Sequence, residues 1–436
     1  MAGTRVLARV RAFGEWQPRD TKSVVLCAAL AVICGTLLVT YVEKILVGYH
    51  AGSTKAFGDF FALWSYGRIA ATHPASDLYD MHLLHTLQVA LGMPPAEQNP
   101  FPYPPTAILL FLPFGRIPVP VGYLIWIGGT FALFLWAVLA TCWRSPAIVL
   151  PLLMAPTTTL TMSGGQSGFL SGALLIGGMR LAASRPVLSG ILLGCLSYKP
   201  QLALLVPVAL VAAGLWRCLA IACVTAIGLA VAATILLGWQ VWPAWLAMLP
   251  AYAQMFDAKH DLLKLMPTVE ASLRILGFAP TTAQFGQAAA ALAVATVTWR
   301  SFRHGPARGA VAALLVGTFL STPHALIYDT PMIAGALVLL IAPRWQARVS
   351  FSLAEVVVLT LAVLFPLLMA CRVFTLPVST PILLALLVVI LADGARLGRP
   401  RSERSLAEGG SARFATPAIS GSQGRGPAIP MSRTTG

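Results

Sequence analysis

The chain has 436 residues, 57% of them hydrophobic and only 10% charged, with a net charge of +15. Soluble globular proteins average about 25% charged residues, so an ordinary soluble fold is excluded. The apolar residues come in repeated blocks of roughly 15 to 22, the length that crosses a hydrocarbon core about 30 Å thick. The blocks are continuous and do not alternate with period two, which excludes a transmembrane barrel. The bases sit in short clusters between the blocks, the pattern of the positive-inside rule, and they argue against nucleic acid as a partner. The seven cysteines form no CxxC and are odd in number, so neither a disulfide framework nor a zinc site is expected.

In chain order, Arg5, Arg9, Arg11, Arg19 and Lys22 make residues 1–22 a basic cytoplasmic N-terminus. The apolar run Ser23–Val42 is about 20 residues long and lacks a small-x-small cleavage site, so 23–42 reads as a first transmembrane helix and not a removed leader. Residues 43–104 then form an extracytoplasmic loop. The stretch from Glu43 to Tyr103 holds Glu43, Asp59, Asp77, Asp80 and Glu97, a third of all the acids. Residues 105–393 are a multi-helix transmembrane region. Residues 394–436, basic at first and then rich in Gly, Ser and Pro, read as a disordered cytoplasmic tail.

Counting back from that tail places cytoplasmic turns at Arg344/Arg348, Arg300/Arg303/Arg308, Arg217 and Arg180/Arg185. The opposite side receives Arg372, Ser321–Asp329, Trp239–Pro280, Lys199 and the Gly164–Gln166 turn. Over residues 180–404 this puts twelve Lys and Arg inside and five outside. Between Tyr103 and Gly164, both outside, lie three apolar segments: Pro105–Pro118, Val121–Cys142 and Ala147–Met162. An odd number of crossings is impossible there. One segment must therefore be re-entrant, either Pro105–Pro118 with its flanking prolines or Ala147–Met162, broken by Pro151 and Pro156. The fold class is an all-α polytopic membrane protein of about 10–12 transmembrane helices with a large first extracytoplasmic loop.

In so apolar a chain, the polar residues that resist the membrane carry the information. Gly58-Asp59-Phe60-Phe61 sets an acid among aromatics near the interface, where it can act as a general base or simply cap an interfacial helix. Tyr103, in Pro102-Tyr103-Pro104-Pro105, sits where prolines fix an extended path into the next helix. Gln166, in Ser163-Gly164-Gly165-Gln166, marks either a tight turn or a polar contact site. Lys199 and Gln201, in Tyr198-Lys199-Pro200-Gln201, place a point charge suited to phosphate on a side chain that can equally snorkel to headgroups. Thr322-Pro323-His324 with Tyr328-Asp329 gathers a His, a Tyr and an Asp at one outer turn. His82 and His85 share a helix face, but no further ligand stands at matching spacing.

Together these motifs resemble glycosyltransferase family 87, integral-membrane enzymes of the GT-C type that include polyprenyl-phosphate-mannose-dependent α-1,2-mannosyltransferases. The resemblance covers about Leu26 to Asp393. It consists of a GDF acid in the first outer loop, a later LYD, a YPP before the next helix, a GQ turn and a K-P-Q. It implies a hexosyltransferase, in a multi-pass inner (plasma) membrane setting, that moves a hexose from a polyprenyl-phosphate donor to a lipid or glycan acceptor. Mannose is the best-known sugar of the family. Transfer takes place at the extracytoplasmic face with inversion. By that resemblance Asp59 is the catalytic base, Lys199 and His324 meet the leaving phosphate, and Gln166 and Gln201 position sugar or phosphate, with Tyr103 and Asp329 nearby. Many GT-C enzymes carry paired acids in this loop, whereas here Phe60 and Phe61 follow Asp59, so transfer without a metal or other cofactor is expected. The other reading for so many helices is a transporter or lipid flippase. It is weakened by the lack of any repeat between the halves and by the gathering of acids in outer loops.

Overall fold

The computed structural model describes residues 54–139 and 155–397, apart from 259, 306, 348 and 374, together with the isolated positions 35, 39, 43 and 46. The basic N-terminus and the tail beyond 397 lie outside the described residues, as does nearly all of the expected first helix. Among the described residues the protein is all-helical, with no strand. Four spans are long and apolar enough to cross a membrane: Val119–Leu139, Trp216–Leu237, Ile327–Trp345 and Leu353–Ala370. Five shorter apolar helices of 10–17 residues accompany them.

The first part of the chain folds on itself. Helices α1 (Phe60–Ala70), α2 (Met81–Ala90) and α3 (Pro105–Phe111) surround an aromatic centre in which Tyr66, Tyr79, Phe101, Tyr103 and Phe111 meet. The Tyr66 and Phe101 rings are 4.6 Å apart and those of Phe101 and Tyr103 5.5 Å. Tilted and edge-on aromatic pairs each add about 0.5–1.5 kcal/mol beyond burial, and buried Leu63, Ile69, Leu78 and Leu84 complete the same core. Asp80 caps α2, accepting from the backbone of His82 and Leu83 at 3.0 and 3.1 Å, so the LYD acid serves the local fold.

The segment Pro105–Pro118 does not span. Helix α3 has seven residues, about 10 Å at 1.5 Å per residue, and a short 3₁₀ turn at Phe114–Arg116 follows it. The stretch is fastened to α1, Trp64 Nε1 donating to the Ile117 carbonyl at 2.9 Å and Arg68 to that of Gly115 at 3.4 Å. Helix α4 (Val119–Leu139) that follows is long and apolar enough to cross. Part of Ala147–Met162 lies outside the described residues; its end forms α5 (Pro156–Gly164), begun by a proline at its first turn.

The bundle follows as α6 (Gly168–Leu181), α7 (Pro186–Cys195), α8 (Val206–Ala212), α9 (Trp216–Leu237), α10 (Val241–Ala258), α11 (His260–Leu263), α12 (Val269–Ile275), α13 (Pro280–Phe302), α14 (Arg308–Ser321), α15 (Pro331–Ala347), α16 (Leu353–Ala370) and α17 (Ser379–Leu397). Helices α6 and α14 are buried on nearly every side, as expected of helices with no polar face at the centre of a bundle. Helix α6 lies between α4, α7 and α15, and α14 between α13 and α15. The outer α9 turns Val224, Ile227, Val231, Ile235 and Leu236 outward, the face that lipid would cover. The sequence places most of these helices, but α10 lies inside a stretch expected only to be an outer segment. Its boundary tryptophans give it a mixed character, and Pro250 interrupts it without ending it.

Away from the outer loop, Arg344 of α15 binds Asp393 of α17 at 2.6 Å and Glu355 of α16 at 3.0 Å, with its guanidinium stacked over Phe351. Removing one member of a buried ion cluster leaves charge uncompensated, at a cost of about 3–5 kcal/mol. Arg344→Met is therefore expected to lower the unfolding temperature of the detergent-solubilised protein markedly. Adding Glu355→Gln and Asp393→Asn to that variant should recover most of the loss. An unchanged transition in the single variant would show that the cluster contributes nothing to stability.

Candidate functional site

The site begins with two turns locked together. Gly58 and Gly165 both adopt positive φ, +54° and +61°, a region open to glycine and strained for other residues. A Cβ on Gly58 would stand 2.3 Å from the Ser163 carbonyl oxygen, and one on Gly165 would stand 2.6 Å from Phe60 Cβ. With neither Cβ present, the turns touch backbone to backbone, and the Asp59 N–H donates to the Gly164 carbonyl at 2.8 Å. Helix α4 clamps the second turn, with Tyr123 Oη donating to the Met162 carbonyl at 2.8 Å and Trp126 Nε1 to that of Gly165 at 3.1 Å.

Asp59 occupies the residue before α1, yet its side chain caps nothing. Its Oδ2 instead accepts from Gln166 Nε2 at 2.8 Å, across 107 positions of sequence. Gln166 is itself buried. Asp59 is an exposed residue by surface area, yet surrounding protein desolvates its carboxyl group. Displacement of water by that surrounding mass raises its pKa above the ordinary carboxylate value. The Gln166 hydrogen bond pulls it back, and the charge of Glu97 adds to the rise. The two readings of Asp59 are thus separated by geometry: it stands at a cap position but holds its carboxylate elsewhere.

A cavity of about 420 Å³ lies beside this pair, lined by Tyr103, Lys199, Gln201, His324, Tyr328 and Asp329, among others. Three separately recognised motifs therefore line one cavity, and that volume is within the range of small-molecule sites, about 300–1,000 Å³. All of these segments belong to stretches that the base distribution assigns to one side of the membrane. Asp59 and Gln166 are not among the lining residues. Tyr328 connects them to it: it lines the cavity, interacts electrostatically with Asp59, and its carbonyl accepts from Thr161 Oγ1 of α5 at 3.0 Å.

Lys199 does not present a free charge. Its Nζ lies 2.6 Å from Asp329 Oδ1, both side chains are at most 3% exposed, and the ammonium sits 4.9 Å from the centre of the Tyr328 ring. The other oxygen of Asp329 accepts from the Leu326 N–H at 3.2 Å. Lys199 is thus neither snorkelling nor a lone point charge; it is half of a buried pair that joins the K-P-Q turn to the His324 turn. His324 packs edge-on against Tyr252, with ring centres 6.1 Å apart. Desolvation lowers its pKa to about 4, with the Lys199 charge adding to the fall and that of Asp329 opposing it, so the imidazole is neutral at pH 7. Tyr103 contributes its ring to the cavity and its carbonyl to Tyr79 Oη at 3.1 Å.

The facing wall escaped the motif reading. Trp245, Leu249 and Tyr252 of α10, with Glu270 and Arg274 of α12, line it. Their spacings, four and three residues on one helix and four on the other, are those of a single helical face, a signal hidden inside a segment read as loop. Among the described residues no three His, Cys, Asp or Glu side chains converge as metal ligands would; His82 is exposed.

No curated relative and no solved structure matches the chain. Residues 101–328, just over half of it, match the sequence profile of glycosyltransferase family 87. The matched span starts downstream of Asp59 and contains Tyr103, Gln166, Lys199, Gln201 and His324. Several motifs converge on one cavity in an all-helical membrane bundle, and this match runs through most of them. The chain therefore belongs to glycosyltransferase family 87, a membrane enzyme that takes a sugar from a donor and gives it to an acceptor.

Proposed function

We propose that the protein transfers a hexose, mannose in the first instance, from a polyprenyl-phosphate donor to a lipid or glycan acceptor at the extracytoplasmic face of the plasma membrane. The observation that carries this reading is the Asp59 carboxylate, held at one oxygen by Gln166 and linked through Tyr328 to a cavity large enough for a hexosyl phosphate. The acceptor hydroxyl gives its proton to Asp59 as its oxygen bonds to the anomeric carbon. The carbon–phosphate oxygen bond breaks on the opposite side, the lipid phosphate leaves with the electron pair, and the configuration inverts. A lipid phosphate needs little acid assistance, so hydrogen-bond donors and fixed dipoles about the departing oxygens matter more. Neutral His324, Gln201 and the Lys199–Asp329 pair are placed to serve there. The base distribution supports the orientation. Transfer without a divalent metal fits an acid whose next two residues, Phe60 and Phe61, are core side chains and not ligands.

Three outcomes test this reading. Purified protein in lipid, given radiolabelled polyprenyl-phosphate sugars and a membrane lipid extract, should form a labelled product, and Asp59→Asn should lower the rate by about 10²–10⁴-fold. Undiminished transfer in that variant would remove Asp59 as the base. The wild-type rate should fall on the acid side through a pKa above the ordinary carboxylate value of about 3.9.

Lys199→Met, which strands the buried Asp329 carboxylate, is expected to lose about 3–5 kcal/mol of stability. Thermal unfolding of Lys199→Met with Asp329→Leu should recover that loss. Its residual transfer rate then reports what the pair contributes to chemistry.

The unfolded chain protonates its histidines near pH 6.5, whereas His324 in the fold resists protonation until about 4. Stability is therefore lost as pH falls from about 6.5 towards 4. His324→Gln should show a flatter unfolding temperature over that window, and an identical pH dependence would exclude His324 as its source.

A further inference from the structure

The Gln166 carboxamide is oriented by its surroundings. Its turn is held by Trp126, Tyr123 and the Asp59 backbone, and its side chain is 6% exposed. An amide turned the other way would set its oxygen against a carboxylate oxygen, two acceptors with no proton between them, so Nε2 must face Asp59. In this orientation Gln166 Oε1 is buried without a hydrogen-bond partner among the described residues, a deficit that folded proteins rarely tolerate. It is the cost of keeping the donor on the acid. No hydrogen bond engages Asp59 Oδ1 among the described residues, and Asp59 as a whole residue is exposed.

We infer that Gln166 is a positioning residue: by holding Asp59 Oδ2 it fixes the carboxylate rotamer and presents Oδ1 alone to the acceptor hydroxyl. The inference rests on Asp59 acting as the base. It gives Gln166 a role distinct from contact with sugar or phosphate, and it explains why two glycine turns 107 residues apart are built to touch. The charged and titratable groups facing Asp59 from the packed elements are Glu97, Tyr66 of α1 and Tyr328. None of them donates a hydrogen bond to it, so the amide is the contact that favours its charged form.

The test measures kcat, KM for donor and acceptor, and the pH profile of the lipid-reconstituted full chain carrying Gln166→Leu or Gln166→Glu, beside Asp59→Asn. The expected result for Gln166→Leu is a kcat about tenfold to a hundredfold lower, a donor KM within about twofold of wild type, and an acid limb displaced to higher pH. The displacement follows because the carboxylate has lost the bond that stabilises its charge. Gln166→Glu keeps the shape of the side chain and should fold if Leu does not. Two carboxylates sharing one proton would push its acid limb higher still. A wild-type acid limb in both variants, or a tenfold rise in donor KM at unchanged kcat, would overturn the inference. Transfer undiminished in Asp59→Asn would instead overturn the reading on which it rests.

Discussion

The contact between the Gly58 turn and the Gly165 turn is the constraint on which the site depends. It is made of backbone, so it tolerates no side chain at either glycine and leaves little freedom to the residues that follow them. Asp59 comes directly after one glycine and Gln166 directly after the other. Both are delivered to a 2.8 Å hydrogen bond by a junction that their side chains do not build. The aromatic packing of the first loop and the clamp from α4 serve to hold that junction closed.

Around it the protein divides its polar chemistry. The acid lies outside the cavity that collects Lys199, Gln201, His324 and Asp329. Tyr328 links the two. The wall of the cavity is close to neutral where it was expected to be positive: the lysine is matched by Asp329 at 2.6 Å and the histidine resists protonation. In a low-dielectric surround, an unmatched ammonium would be costly to bury, and the pair removes that cost while keeping strong dipoles in place. Such a wall can favour developing charge on a leaving group without trapping a phosphate permanently.

Much of the fold was legible because hydrophobic block length is dictated by the membrane and not by the details of packing. Helices such as α9 and α16 follow from that rule within a few residues. That Pro105–Pro118 holds only a seven-residue helix was legible as no more than one of two alternatives, since parity demanded an odd piece without identifying it. Helix α10 was not, because an interfacial helix with tryptophans and a proline has no distinctive hydropathy. Of the site, the motif residues were visible because each is costly where it stands. Their pairings were not: nothing local in Tyr198-Lys199-Pro200 indicates that its partner lies at 329, and a Gly-Gly-Gln turn reads the same whether its amide meets a sugar or an acid. The second wall was hidden for a third reason, in that Glu270 and Arg274 are ordinary residues of a short helix until the fold sets them beside His324.

The distance in sequence between Asp59 and Gln166 also bears on how the enzyme comes into being. A chain inserted from its N-terminus exposes the acid long before the turn that receives it has emerged, and α4 and α5 must be threaded in between. Until then the first loop has its aromatic centre but no anchor for the carboxylate. The Asp59–Gln166 contact can therefore form only once α4 and α5 are in place. A chain halted before residue 166 would carry Asp59 without the amide that holds its Oδ2.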